Sequence, residues 1–348
     1  MPSKYDVAAY VWPSYTGCEP RSRIFWPGGM GEWETVEKRM RQKPLWGMRD
    51  EADSIVMEHQ IDQAIKHGVN VFIYDWYWYD NRPFLEQCLN DGFLGAANNG
   101  QMRFYIMWAN HTATSLWDLR TSHENTPIWD GSINFEQFQV IARRWMERYF
   151  CRENYYKING KPVLCIYDMQ NFLRGLGGMD GAARAIEWLR EEMAKTGFAG
   201  LHLQLIKYRG ESTFEHAKAL GADSITHYQN VHYTRPGCDY SDWLTAMRAE
   251  FDMIDRHGIP YFPHVSLGWH SQPRFLKPQN DAMASCTPEN IKKALQLAKD
   301  YIDTHRLSPP LVTVNSWNEW TETSYLQPDD VNGYGYLEAV REVFCDQA

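Results

Sequence analysis

The sequence predicts an α/β fold, a single (β/α)8 (TIM) barrel with long βα loops on its C-terminal face. Three observations support this prediction. Eight short apolar runs recur along the 348 residues, amphipathic segments separate them, and glycine-containing turns stand where a helix must stop before the next strand. We expect residues 1–348 to form one domain, because α/β barrels routinely exceed the usual domain size.

The eight apolar runs are the predicted strands, and several are apolar throughout, which is typical of parallel strands covered on both faces. They are VAAYVW from Val7, VNVFIYDW from Val69, RFYIMWAN from Arg103, PVLCIYD from Pro162, LHLQLI from Leu201, DSITHY from Asp223, PYFPHVSL from Pro260 and PPLVTVNSW from Pro309. Eight units of strand and helix favour a closed barrel, and an open doubly wound sheet is the alternative. The dinucleotide-binding form of that sheet is disfavoured because no GxGxxG follows the first strand.

Amphipathic segments between the strands carry apolar residues at three- and four-residue spacing, which predicts helices. They run from Ala52 to His67, Phe135 to Phe150, Ala182 to Thr196, Trp243 to His257 and Pro288 to His305. Long irregular stretches follow the strand ends, at residues 13–50, 111–132, 229–240, 268–287 and 319–333. In a barrel these loops all emerge on the C-terminal face, so we expect a substrate cleft there.

Composition narrows the class of partner. The formal net charge of −9 argues against nucleic acid and anionic membrane surfaces, whereas 15 Trp, 20 Tyr and 15 Phe suit a carbohydrate whose flat C–H faces stack on aromatic rings. A Trp-rich core is the alternative explanation for any single ring. Neither a leader peptide nor a membrane span is evident, so we expect a cytoplasmic protein. The sequence does not indicate an oligomeric state.

The strongest local motif is VNSWNEWTETSYLQPD, which follows the eighth strand and contains Glu319 and Glu322. Hydrolysis of an acetal needs two carboxyl groups that flank one bond, and two glutamates three residues apart on a turn can face the same space. The neighbouring Trp317 and Trp320 could raise one pKa by excluding water, while Asn318 keeps the other carboxylate ionised. An ExxE pair on a solvated helix face is the alternative.

Other polar and aromatic clusters end the remaining strands. FIYDWYWYDNRP ends the second strand, and about half of its side chains should point outward because strand side chains alternate. The residues that we expect to contact substrate are Asp75, Tyr77, Trp78, Trp108, Asn110, His111, Tyr167, His227, Trp269, Trp317, Asn318 and Trp320. Arg274 and Tyr228 stand in the same strand-end clusters, LGWHSQPR and HYQN.

Competing chemistries have weaker support. The sequence contains no HExxH, GxSxG or P-loop motif, and its seven cysteines lack zinc-type spacing, so we expect neither a metal nor another cofactor. A metal cluster of His227, His232 and His264 is the alternative that the histidines allow.

At these residues the sequence resembles the glycoside hydrolase family 99-like group, which includes the WbsX-type domain and is related to endo-α-mannosidases. The resemblance covers nearly the whole chain and rests on GEWETV, FIYDWYW, MWAN, GKPVLCIY, GWHSQPR and above all NSWNEWTETSYLQPDDVNGYGYLEAV. It implies a (β/α)8 catalytic barrel and a retaining glycosidase without a metal.

The resemblance also implies roles for the two glutamates. In the endo-α-mannosidase branch the first glutamate, here Glu319, deprotonates the sugar's own 2-hydroxyl to give a 1,2-anhydro sugar, and the second, here Glu322, protonates the leaving group and later activates water. Two positions depart from the WbsX-type pattern, since His111 and His270 stand where acidic residues are common. Both changes concern the substrate face, so mannose specificity does not transfer.

The sequence therefore predicts a glycoside hydrolase that acts on an oligo- or polysaccharide, with Glu319 and Glu322 as its catalytic residues. Two alternatives remain open. A glycosyltransferase of polysaccharide biosynthesis would need a nucleotide-sugar site, and the sequence contains no DxD-type or phosphate-binding glycine motif for one. A non-catalytic carbohydrate-binding barrel would keep the aromatic residues and turn nothing over.

Overall fold

The structure is a computed structural model that describes residues 4–235 and 237–345. Its centre is a barrel of eight parallel strands. They are β1 (Asp6–Val11), β2 (Val71–Tyr79), β3 (Arg103–Trp108), β4 (Lys161–Ile166), β5 (His202–Ile206), β6 (Ser224–Thr226), β7 (His264–Ser266) and β8 (Leu311–Asn315). Each predicted strand is present, and the fold prediction is confirmed.

The strands pair in the order β6-β5-β4-β3-β2-β1-β8-β7. β1 lies between β2 and β8, with Ala8 opposite Val71 on one side and Thr313 on the other. The seam between β6 and β7 is closed by the residues before β7, because the Phe262 amide donates to the carbonyl of Ile225 at 3.0 Å. The sheet is therefore a closed barrel rather than the open doubly wound alternative.

Helices surround the barrel and cross from each strand to the next. They are α1 (Trp33–Arg39), α2 (Ser54–Lys66), α3 (Phe135–Trp145), α4 (Met169–Leu176), α5 (Met179–Lys195), α6 (Ser212–Leu220), α7 (Tyr240–Ile254), α8 (Pro288–His305) and α9 (Gly335–Phe344), and the crossover from β2 to β3 is a π-helix, Cys88–Phe93. Side-chain caps fix several starts; Asn134 forms a capping box with Gln137 at the start of α3. Within the described residues, no helix is sufficiently long and apolar to cross a membrane.

Alternation along β2 separates core residues from site residues. Phe72 packs on Phe93 and Trp76 packs on Trp145, both on the helix side of the barrel wall. Asp75 and Tyr77 point to the other side and line the cavity at the barrel mouth. One strand thus contributes to both the outer core layer and the candidate site.

Candidate active site

A cavity of about 1000 Å³ opens at the C-terminal mouth of the barrel. Its volume is at the upper end of the range for small-molecule sites. Each of the eight strand ends contributes to its wall. The residues that carry the site are Trp12 after β1, Asp75 and Tyr77 on β2, His111 after β3, Tyr167 after β4, Tyr208 after β5, Tyr228 after β6, Trp269 and Arg274 after β7, and Glu319 and Glu322 after β8.

The turn that carries the two glutamates is held from behind by hydrogen bonds. The side chain of Asn318 donates to the Trp12 carbonyl at 2.9 Å and accepts from the Trp12 amide at 2.8 Å. The Glu319 amide donates to Oγ of Ser316 at 2.6 Å. A 3-10 turn over Trp320–Glu322 follows, and it ends at Thr323 in the left-handed region with φ 57°. These contacts bring Glu319 and Glu322 to the same cavity wall.

A single arginine links the two carboxyl groups. One terminal nitrogen of Arg274, Nη1, donates to Oε1 of Glu322 at 2.5 Å, and the other, Nη2, donates to Oε1 of Glu319. Because both acceptors bind one planar guanidinium, the two carboxyl groups are separated by little more than the width of that group. The glutamates therefore form one pair, as hydrolysis of an acetal requires.

A third buried glutamate fixes the arginine. Nε of Arg274 donates to Oγ1 of Thr321 at 2.9 Å and lies 3.3 Å from Oε1 of Glu32. Glu32 also accepts from the hydroxyl of Thr321 at 2.9 Å and from the indole nitrogen of Trp12. The guanidinium is thus held on all three of its nitrogens, so its orientation is determined before any ligand binds.

Burial and neighbouring charges have opposing effects on the pKa values of Glu319, Glu322 and Arg274. Burial raises the pKa of Glu319 well above its usual value, the charge of Glu322 raises it further, and Arg274 lowers it. Burial also raises the pKa of Glu322, again against Arg274. Burial lowers the pKa of Arg274 itself, but the three surrounding glutamates outweigh burial and hold it well above its usual value. The arginine is therefore permanently charged, and the carboxyl groups share its single positive charge.

Asp75 and Tyr228 lie beside Glu319 at the base of the cavity. The Tyr228 hydroxyl is 3.0 Å from Oδ2 of Asp75 and 3.3 Å from Oε2 of Glu319. Burial raises the pKa of Asp75 well above its usual value, while the contact with Tyr228 lowers it. A fourth carboxyl group therefore belongs to the site.

The rest of the wall suits a polyol. Trp12 and Trp117 pack against each other at 5.3 Å, and Trp269 lines the wall with its indole nitrogen bonded to Asp281 at 2.9 Å. Burial lowers the pKa of His111, so its imidazole is neutral; Nδ1 donates to the Thr112 carbonyl at 3.1 Å, and Nε2 can accept from a hydroxyl group. Aromatic faces with neutral polar groups are the chemistry that recognises sugars.

Seven residues that the sequence suggested as substrate contacts lie outside the cavity wall, and the expectation of direct contact is corrected for them. They are Trp78, Trp108, Asn110, His227, Trp317, Asn318 and Trp320. Trp317 and Trp320 point into the core, where their indole nitrogens donate to Gln60 and Gln327 at 2.7 Å. These two rings anchor the turn that carries Glu319 and Glu322.

The other corrections have similar causes. Trp78 stacks on Trp76 on the outer side of β2, and Trp108 packs against Trp145 and Phe172 behind β3. The side chain of Asn110 donates to the backbone carbonyl of Asp168 at 2.7 Å, so its role is to tie two strand ends together.

The histidines suggested for a metal cluster have other partners. The ring nitrogens of His227 contact Tyr261 at 3.0 Å and Glu250 at 3.2 Å. Those of His264 contact Thr313 and Ser266, both at 2.9 Å. Within residues 4–235 and 237–345, no group of three or more His, Cys, Asp or Glu side chains is arranged to hold a metal ion.

The sequence did not indicate Trp12, Glu32 or Trp117 as site residues, and it indicated Tyr228 and Arg274 only as members of strand-end clusters. Tyr228 stands next to His227, so the right strand end was identified but the wrong side chain was chosen, and strand alternation decides which of the two faces the barrel. Trp12 carries the same signal as the other strand-end aromatics. Glu32 lies 289 residues before its hydrogen-bond partner Thr321, and no local sequence pattern predicts a contact over that distance.

Comparison with known proteins gives one family and several relatives. The family model described as "Glycosyltransferase WbsX" matches residues 7–340. Two curated proteins, both described as uncharacterized protein WxcX, come from Xanthomonas campestris pv. campestris strains B100 and ATCC 33913. Each is 24% identical over 354 residues, which cover 93% of this chain and 47% of the relative. The chain therefore spans about half the length of the curated relatives it matches.

Two solved structures illustrate the likeness in fold. A GH99 endo-alpha-mannosidase from Bacteroides thetaiotaomicron, in complex with Bis-Tris propane, superposes with a TM-score of 0.65 at 14% identity over 97% of this chain and 95% of that one. A protein described as glycoside hydrolase-like superposes with a TM-score of 0.66 at 13% identity over 98% and 94%. At these identities the likeness is one of fold.

Proposed function

The chain belongs to the family described as glycosyltransferase WbsX, and from this premise we propose that it is a glycosidase that cleaves a glycosidic bond in an oligo- or polysaccharide. The observation that carries the proposal is the glutamate pair. Glu319 and Glu322 are bridged by Arg274 on the wall of a cavity lined by aromatic rings. Two carboxyl groups beside one substrate position are what acetal hydrolysis needs.

In the proposed mechanism Glu319 is the base and Glu322 the acid. Glu319 deprotonates the 2-hydroxyl of the bound sugar, whose oxygen attacks the anomeric carbon, while Glu322 donates its proton to the leaving oxygen. Glu322 then takes a proton from water, whose oxygen attacks the anomeric carbon and opens the 1,2-anhydro sugar with net retention, while Glu319 returns its proton to the 2-oxygen. Oε2 of Glu322 has no hydrogen-bond partner in the described part of the chain, so that oxygen can carry the transferred proton.

Arg274 supports both roles through its fixed orientation. It binds Oε1 of each glutamate, so proton transfer involves the second oxygen of each, which among the described residues is without a partner in Glu322 and contacts the Tyr228 hydroxyl in Glu319. Its charge favours the state in which one carboxyl group of the pair is ionised and the other protonated, which is the starting state for an acid and a base. Neutral His111 and the indoles then select a neutral sugar rather than an acidic one.

Substitution of each glutamate by glutamine tests the proposal and separates the roles. We expect E319Q and E322Q to bind sugar but to lose about 10²- to 10⁴-fold in kcat on polysaccharide fragments or alkyl glycosides. On an aryl glycoside with an activated leaving group E322Q should recover, because such a group departs without a proton, whereas E319Q should stay inactive.

The control is E86Q, since Glu86 is also buried and paired with an arginine, Arg144, but lies outside the cavity. Hydrolysis that is undiminished in both glutamine variants would contradict the catalytic assignment. Sugar binding without turnover of any glycoside by the wild type would favour the non-catalytic carbohydrate-binding barrel.

The description of the family favours a second candidate, transfer of the sugar to an acceptor other than water. The same carboxyl pair could activate an acceptor hydroxyl in place of water. The discriminating measurement is product analysis by mass spectrometry with an excess of acceptor sugar, using either a glycoside or a nucleotide sugar as donor. Free reducing sugar as the main product supports hydrolysis, and elongated acceptor formed only from a nucleotide sugar supports the transferase.

A further inference from the structure

One phenol hydrogen lies between two carboxyl groups at the base of the cavity. The Tyr228 hydroxyl is within hydrogen-bond distance of Oδ2 of Asp75 and Oε2 of Glu319. A phenol donates only one hydrogen bond, and an ionised carboxylate can only accept. If both acids were ionised, the phenol hydrogen could serve only one of the two contacts. In the other contact the phenol oxygen and a carboxylate oxygen would face each other with no hydrogen between them. The geometry therefore requires a further proton on one of the acids.

The surroundings of Asp75 favour its neutral form. Only 4% of the residue is exposed. Its Oδ1 has no hydrogen-bond partner among the residues that the structure describes, and no positive charge acts on its carboxyl group. The ionisable groups that face it are Tyr10, Tyr77, Cys165, Tyr167, Tyr228, Glu319 and Glu322. An ionised carboxylate among acidic and neutral groups, with one oxygen unpaired, is costly to bury.

Glu319 has the opposite environment. Its Oε1 accepts from Arg274, so a positive charge adjoins it, which Asp75 lacks. Of the two acids that contact Tyr228, Glu319 is therefore the one that keeps its charge.

We propose that Asp75 is a neutral carboxylic acid in the working enzyme and a positioning residue for the base Glu319. Its proton lies on Oδ2 and is donated to the Tyr228 oxygen, and the hydrogen of Tyr228 is donated to Oε2 of Glu319. This chain of two hydrogen bonds deepens the proposed function, on which its kinetic consequences rest. It gives Glu319 a donor on each oxygen, Arg274 and Tyr228, and so favours the ionised form that the base needs.

The roles of the pair depend on this chain. Burial is the largest cause that raises the pKa of both glutamates, and it opposes the ionised form that Glu319 needs as the base. The pKa of Asp75 is also raised well above its usual value, chiefly by burial. As the pH rises through the raised pKa of Asp75, that acid loses its proton, Tyr228 turns its hydrogen towards Asp75, and Glu319 loses a donor beside a new negative charge. The wild type should therefore show an alkaline limb in kcat/KM that belongs to Asp75.

Infrared spectroscopy tests the protonation state without any assay of activity. A protonated carboxyl group has a carbonyl stretch that an ionised one lacks, so the difference spectrum of wild type minus D75N at neutral pH should contain that band. D6N is the matched control, because Asp6 is also buried and accepts from a tyrosine, Tyr156, at 2.6 Å, but is paired with Arg103. D6N should remove no such band. A wild type minus D75N spectrum without the band would overturn the proposal, whether or not the protein hydrolyses any glycoside.

Kinetics test the positioning role. The side-chain amide of D75N can donate to the Tyr228 oxygen as the neutral acid does, but it cannot lose a proton, so the alkaline limb should be absent from the kcat/KM profile of this variant. Y228F removes the donor to Glu319 and should lower kcat/KM by about 10- to 150-fold, the usual effect of losing a hydrogen bond to a charged group. Loss of activity in D75N with the limb retained in the residual rate would refute the role. If the proposed hydrolysis itself is wrong, the wild type will be inactive. The infrared measurement would still test the protonation state of Asp75, because it does not depend on activity.

Discussion

The bridge made by Arg274 can be tested through the pH dependence of the enzyme. Arg274 contacts Glu319, Glu322 and Glu32, with 15% of its side chain exposed. R274M keeps the bulk of the side chain and removes its charge. An adjacent positive charge typically lowers the pKa of a carboxyl group by about 1–3 units, and Arg274 lowers the pKa of both catalytic glutamates. We therefore expect the acidic limb of kcat/KM to move upward by about 1–3 pH units.

Stability should change in the same variant. Removal of one partner from a buried ion pair typically costs about 3–5 kcal/mol, because the remaining charges are left without compensation. The folded-state pKa values of Glu319 and Glu322 rise further in R274M, so their protonated forms are favoured in the fold. The loss of stability is then smallest below pH 4.5, the ordinary pKa of a glutamate, where both side chains are protonated, and it grows as the pH rises.

The assay combines kcat/KM profiles from pH 4 to 9 with urea unfolding at both ends of that range. R144M is the matched control, since Arg144 pairs with buried Glu86 and has a similarly small exposed fraction, 25%. It should lose stability without any shift of the acidic limb. A limb in R274M that coincides with that of wild type would refute the reasoning, because the charge of Arg274 would then have no influence on the catalytic pair.

Two further predictions concern the cavity wall and the support of the catalytic turn. In calorimetric titration, W269A should weaken sugar binding by about 2- to 10-fold, which is the usual contribution of an aromatic pair. The control is W188A, which replaces a half-buried tryptophan that packs on Phe135 outside the cavity and should bind sugar as the wild type does. Burial raises the pKa of Glu51 to about 7, so its folded state favours the proton and the wild type loses stability as the pH rises from 4.5 to 7. In urea unfolding, the free energy of unfolding of E51Q relative to that of wild type should increase by about 3 kcal/mol between pH 4.5 and 7. A difference that stays constant with pH would contradict this account.

The barrel was predictable because its signal is local. Each of the eight strands is an apolar run covered on both faces, and such runs stand out from the polar loops around them. The family resemblance, also read from contiguous motifs, is confirmed by the match over residues 7–340. Helix α1 was assigned to an irregular stretch instead. It has only seven residues, and its stability comes from contacts such as Trp33 on Tyr15 rather than from helical propensity.

The site was predictable in position but only partly in detail. Glu319 and Glu322 follow β8 and reach the cavity, as their place after a barrel strand implied. Trp317 and Trp320 have the same three-residue spacing, yet they face the core, where their indole nitrogens donate to Gln60 and Gln327. That choice depends on turn geometry that a single sequence does not display. The contacts of Arg274 with Glu319 and Glu322 span 45 and 48 residues, and contacts over such distances produce no periodic pattern in the sequence from which they could be predicted.

The hydrogen bonds between Asn318 and Trp12 join residues 306 positions apart. Asn318 also donates to Glu51, 267 residues earlier. A connection between such distant positions forms late in folding, because the chain must close a very large loop before the contact gives any stability in return. Partly folded or nascent chains would thus carry both glutamates without the scaffold that aligns them, and catalytic competence would arrive together with the completed barrel.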